Sequence, residues 1–139
     1  MISIRLLLAS FLWAGAALFI FEFFWYFLEK KLNLLSKLPP EMLEEIGIGF
    51  FVSRFIMQFA FTVAMPTVAY AWFYVLVPFY GTRAGIALAV FLFILGIVPF
   101  TMSLMMRFKM PMSFTLFQLA GHLLKMIIVY SIIAYLYIL

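Results

Sequence analysis

Four long apolar stretches separated by three short polar breaks make up this chain. The first runs from Ile4 to Leu28 and stops at Glu29-Lys30-Lys31. The second runs from Ile48 to Tyr80, the third from Thr82 to Met106 and the fourth from Met112 to Tyr137. Crossing a hydrocarbon core of about 30 Å takes about 20 helical residues at about 1.5 Å each. Each stretch meets that length, and each is apolar on nearly all sides instead of along one stripe. The pattern predicts an all-α, polytopic integral membrane protein with about four transmembrane helices in one membrane domain, residues 1–139. The helices are expected at about residues 4–28, 51–77, 84–106 and 112–137. The first run is too long for the core of a signal peptide, and no small-x-small site follows it, so it is expected to remain as a helix.

The breaks carry their own signals. Residues 29–46 alternate Leu32, Leu34, Leu35, Leu38, Met42 and Leu43 with lysines and glutamates, which predicts a short amphipathic segment lying in the membrane interface. Pro39-Pro40 followed by acids suits the start of a short helix there. Pro66 and Pro99 fall inside the second and third stretches and are expected to kink them. Trp25-Tyr26 reads as an interface anchor at the end of the first helix.

Composition adds to this picture mainly by exclusion. Of 139 residues, 69% are hydrophobic and 10% charged, against about 45–50% and about 25% in soluble domains. A small soluble domain cannot hide so much apolar surface. There is no cysteine and no aspartate, and histidine occurs once. Disulfide frameworks, thiolate metal sites and paired-histidine metal sites are thereby excluded. No phosphate-binding glycine loop, kinase, hydrolase or zinc signature is present. The net charge of +4 forms no basic face, so nucleic acid is not an expected partner. The basic residues instead mark topology: Arg5 and Arg83 lie at one side, and Lys30, Lys31, Lys37, Arg54, Arg107 and Lys109 at the other. Loops after the first and third helices are therefore expected in the cytoplasm and the termini outside, in a bacterial-type inner membrane.

An ionisable side chain within a span costs about 2.5–3.5 kcal/mol on insertion scales and is a functional candidate by default. The fourth helix carries Thr115, Gln118, His122 and Lys125, spaced 3, 4 and 3 apart. They fall within an arc of about 80°, one polar stripe leading toward mid-membrane. The second helix carries Arg54, Gln58 and Thr62, spaced four apart, and the first contributes Glu22. Glu22 and Arg54 sit at comparable depth and are the first expected pair, with Lys125 in reach only if the fourth helix is tilted or shifted. Together these residues predict a polar pocket between the first, second and fourth helices, for a proton, a small ligand or a lipid or quinone headgroup. The plainer expectation is hydrogen-bonded and ion-paired glue between helices.

His122 is a candidate axial ligand for haem or chlorophyll, since Ala120-Gly121 beside it would admit a flat ring, but a neutral hydrogen-bonded histidine is favoured. Gly81, Gly85 and Ala89 recur every fourth residue and predict a close helix–helix contact, as Ser10, Ala14 and Ala17 do on the first helix. The aromatic run from Phe19 to Phe27 and the Phe and Met residues of the third helix read mostly as lipid-facing or packing residues. A groove for a carotenoid, pigment or quinone is the sharper alternative.

Membrane lipids and other membrane subunits, or further copies of the chain, are the expected partners. The favoured function is a non-catalytic accessory subunit of a larger membrane complex, serving packing, assembly and lipid or cofactor shielding. The alternative is a small homo-oligomeric transporter or ion pathway through the polar pocket, and a third is a lipid- or quinone-binding enzyme. In architecture the chain resembles the small multidrug resistance transporters, which have four helices and an embedded glutamate in the first, matched here by Glu22. That resemblance implies cation export. Arg54 and Lys125 within the spans, the longer chain and the displacement of Glu22 toward one end depart from that pattern, and the chain is not assigned to the family.

Overall fold

In the computed structural model, which describes residues 3–33, 36, 38–42 and 47–137, the described residues are helical or connecting, with no strand. Four helices are long and apolar enough to cross a membrane: α1 (Ile4–Leu32), α2 (Ile48–Leu76), α3 (Thr82–Phe108) and α4 (Met112–Leu136). They run up and down in alternation. The C-terminal end of α1 therefore lies with the start of α2, the end of α3 and the start of α4.

Helix α1 does not stop at its first charges. It continues through Glu29, Lys30, Lys31 and Leu32 and ends where Asn33 turns left-handed at φ 52°, its N–H bonding to the Lys30 carbonyl. Asparagine tolerates that conformation better than most residues, and Lys30 and Lys31 in the last turn suit the negative end of the helix dipole. This corrects the expected boundary at residue 28. Of the expected amphipathic segment, residues 34, 35, 37 and 43–46 lie outside the described residues. A single short turn is seen at Pro40–Met42.

Both internal prolines reshape their helices. Pro66 has no N–H to donate, and its ring crowds the carbonyl four residues back. The chain responds with a wider π turn over Phe59–Ala64, in which the Met65 N–H bonds to the Ala60 carbonyl five residues back. Pro99 is preceded by the same device over Phe93–Ile97, with the Val98 N–H on the Phe93 carbonyl.

Helix α4 is the centre of the molecule. It packs against α1 and against the first part of α3, residues 82–92, and touches α2, whereas α2 and α3 make no substantial contact with each other. The α3–α4 contact is close because Gly85 has no side chain. A Cβ there would lie 2.6 Å from the Ser131 Cα and nearer still to the Tyr130 carbonyl. Ala84 and Ala89 are fully buried on the same helix, while Gly81 takes φ 68° in the turn that starts it. The α1–α4 contact closes over Gly121, where the Trp25 indole fills the space a side chain would need. Trp25 stacks on Phe117 with ring centroids 4.4 Å apart and on Phe21 at 5.4 Å. It is therefore a packing residue between helices. The core itself joins three helices: Ala14 and Leu18 of α1, Val63 of α2, and Val129 and Ile133 of α4.

Candidate functional site

Beneath that core, toward the end where α1 stops and α4 starts, lies a cluster of charges. Glu22 is 6% exposed and Lys125 5%. The Lys125 ammonium pairs directly with one carboxylate oxygen of Glu22. The Arg54 Nε lies 3.7 Å from the other oxygen, its side chain one-third exposed. Lys125 also donates to the Gln58 carbonyl oxygen at 3.0 Å. The Thr62 hydroxyl donates weakly to that same oxygen at 3.4 Å. Glu22, Arg54, Gln58, Thr62 and Lys125, drawn from α1, α2 and α4, thus form one connected network.

Helix geometry explains why Lys125, and not Arg54, is the closer partner of Glu22. From Glu22 to the end of α1 at Leu32 is ten residues, and from Met112 to Lys125 is thirteen. At about 1.5 Å per residue these are depths of about 15 Å and about 20 Å from the shared end. Side chains lean toward the N-terminus of their own helix. In the antiparallel pair α1 and α4, Glu22 therefore leans inward toward Lys125 while Lys125 leans down toward Glu22, and the gap closes. Arg54 is only six residues into α2, near about 9 Å, and leans back toward the shared end. Its long side chain reaches Glu22 from below and stays partly open.

Glu29 is a further member that the charge pattern did not single out. It is 7% exposed, although it belongs to a run of charges that reads as a solvated helix end. Its carboxylate faces the Gln118 side chain and the Arg54 charge. The available signal was its spacing: Glu29 follows Glu22 by seven residues, two turns on the same face of α1. Gln118 accordingly pairs with this lower carboxylate instead of joining Lys125. Thr115, at the start of the α4 stripe, turns its hydroxyl back to the Pro111 carbonyl at 3.1 Å and serves the helix end.

His122 stands apart from the ion pairs. It is one turn below Lys125 and makes no hydrogen bond among the described residues. It lines two neighbouring cavities. One, of about 240 Å³, lies between α2 and α4 and reaches Ile97 of α3. The other, of about 420 Å³, lies between α3 and α4. The expected approach of a flat ring beside Ala120-Gly121 does not exist, because Trp25 occupies the face of Gly121. Among the described residues, no three His, Cys, Asp or Glu side chains gather as a metal site would need.

The layer beyond the charges is apolar and buried. Ala14, Leu18, Val63 and Val129 are fully buried and Ile133 is 2% exposed. This layer closes the cluster toward the end where α1 begins, and Arg54 is its opening at the other end. Comparison with protein-family models, with curated proteins and with solved structures gives no match.

Proposed function

We propose that this chain is a non-catalytic subunit of an integral-membrane assembly, in which the charge cluster locks its own helices together and the outer faces pack against lipid and other membrane subunits. The observation that carries this reading is the internal pairing of the cluster. Glu22 is held by two bases, Lys125 directly and Arg54 at 3.7 Å, so both of its oxygens are engaged within the chain. A proton or ion path needs a group that exchanges its partner with both sides. Here the apolar layer of Leu18, Val63 and Val129 blocks one side. Buried ion pairs of this kind are best attested as devices that fix register, not as sources of net stability.

In this reading the loops after α1 and α3, with Lys30, Lys31, Arg107 and Lys109, face the cytoplasm of a bacterial-type cell. The outward apolar side chains, among them Leu8, Trp13, Phe24, Trp72 and Phe91, then meet lipid or partner subunits. Purification of the tagged protein from its own membrane in mild detergent tests the proposal, with mass spectrometry and an absorption spectrum on the same peak. Other membrane subunits in fixed ratio are the expected result. A homo-oligomer with no other subunit would overturn it. A transport reading would then take its place, supported by the partial exposure of Arg54, which opens the Glu22 carboxylate to one side.

A further inference from the structure

Helices α2 and α3 both pack toward α4 yet leave a cleft between themselves, with His122 of α4 as its floor. Both walls of the cleft are irregular at the same level. The α2 wall contributes Phe61 and Thr62 from its π turn, and the α3 wall contributes Gly96 and Ile97 from its own. Wide π turns concentrate at functional sites. Two of them facing each other across the chain's single histidine is a specific arrangement.

The polar groups of the inner chamber have unused capacity. The amide nitrogen of Gln58 is left over after its oxygen takes Lys125 and Thr62. The His122 ring and the Tyr130 hydroxyl also have no hydrogen-bond partner among the described residues, and all three side chains line the 240 Å³ chamber. In an apolar setting each such group carries a cost until it is paired. All three can donate, so they call for an acceptor. Apart from Thr62, the rest of the chamber wall is apolar and adaptable, with Met57, Phe61 and Met126, which suits a flat ring. The charges nearest the chamber are taken up with one another, Glu22 with Lys125 and Arg54, so they do not select a charged guest. The neighbouring cavity of 420 Å³ shares Ile97 and His122 with the chamber and is walled by Phe100, Leu104 and Phe114, as an apolar tail requires.

We infer that the cleft between α2 and α3 binds an uncharged, single-tailed lipid with a flat carbonyl headgroup, of the quinone class. Its headgroup sits in the chamber of Gln58, His122 and Tyr130, and its tail lies along α3 toward the bilayer. This rests on the membrane placement proposed above, but not on the identity of any partner subunit. A glycerolipid ester offers the same acceptor chemistry, so the test must separate the two.

The experiment is photolabelling of the protein, purified in mild detergent with whatever subunits accompany it, by a benzoquinone carrying a photoreactive group on a short alkyl tail. Saturable labelling of peptides bearing Phe61, Ile97 or Met126 is expected. Excess decyl-benzoquinone should remove the label, and excess dioleoyl phosphatidylcholine should leave it. Ile97→Trp, which fills the passage shared by the two cavities, should cut labelling about tenfold. His122→Leu, which removes one hydrogen bond, should weaken it about fivefold. Unsaturable or scattered labelling would overturn the proposal, as would equal labelling of the variants. Removal by the phospholipid would make the cleft an acyl-chain groove, and label confined to another subunit would make it a protein contact. Should either variant fail to accumulate, the competition on the unaltered chain decides alone.

Discussion

The pairing of Glu22 with Lys125 makes a quantitative prediction about stability. Changing Glu22→Gln keeps the side-chain shape but leaves the Lys125 ammonium, 5% exposed, with only the Gln58 oxygen and the introduced amide. Removing one partner of a buried pair costs about 3–5 kcal/mol. Lys125→Met should cost less, about 2–3 kcal/mol, because Arg54 still lies 3.7 Å from the carboxylate left behind. The double variant Glu22→Gln/Lys125→Met removes both members of the buried pair and leaves Arg54, one-third exposed, which can turn outward or toward Glu29. Its cost should be about 1–2 kcal/mol, since replacing a whole buried pair by neutral groups is often close to neutral. The coupling energy is then about 3 kcal/mol or more. The assay is reversible unfolding in mixed micelles with increasing denaturing detergent, followed by tryptophan fluorescence and far-ultraviolet circular dichroism. If the double variant loses the sum of the two single losses within about 0.5 kcal/mol, the two residues are independent and the reasoning fails.

Three further outcomes follow from other contacts. The cycle formed by Glu22→Gln and Arg54→Gln should show a coupling below about 1 kcal/mol, because Arg54 is one-third exposed; a larger value in the same unfolding assay would mean it is the principal partner. Gly85→Ala should destabilise by about 1–3 kcal/mol or more, since the added methyl meets the backbone of Tyr130 and Ser131, which cannot yield as a side chain would. An unchanged unfolding midpoint would show that α3 and α4 do not pack there. Gly121→Val should destabilise by a similar amount, about 1–3 kcal/mol, and Trp25→Leu in the same chain should recover part of the loss, because the indole occupies the space the valine needs. Absence of any rescue would remove Trp25 from the α1–α4 contact.

The four helices were legible because apolar run length reports them directly, and the two irregular turns because proline cannot make a helical hydrogen bond wherever it sits. The relation between the two turns was not legible. Pro66 and Pro99 are 33 residues apart in sequence, and only the packing of α2 and α3 around α4 sets their π turns across His122. Similarly, the Gly81, Gly85 and Ala89 spacing marks a face that can approach closely, but not which helix comes to it. The polar stripe of α4 was visible as a stripe, yet its members separate by depth: Gln118 serves Glu29, Lys125 serves Glu22 and His122 serves neither.

The choice of partner for Glu22 turned on where α1 ends. If the helix is stopped at Leu28, Glu22 lies six residues from its end, level with Arg54 at six residues into α2, and those two look like natural partners. Letting the helix run on to Leu32 puts Glu22 ten residues deep, which is the depth of Gln58 in α2 and of His122 in α4. Lys125 is then one turn farther and leaning back toward it. The charges of Glu29, Lys30 and Lys31 were what suggested the earlier stop, and each has a reason to remain in the helix. The lysines favour its C-terminal dipole, and Glu29 is buried against Gln118. A four-residue difference in one helix end, about 6 Å along the axis, is thus enough to exchange a half-open pair with arginine for a buried pair with lysine. Of the two pairings, only the one with Lys125 adds a charge contact between α1 and the central helix α4, and this is why the reading of the cluster as a lock depends on the last turn of α1.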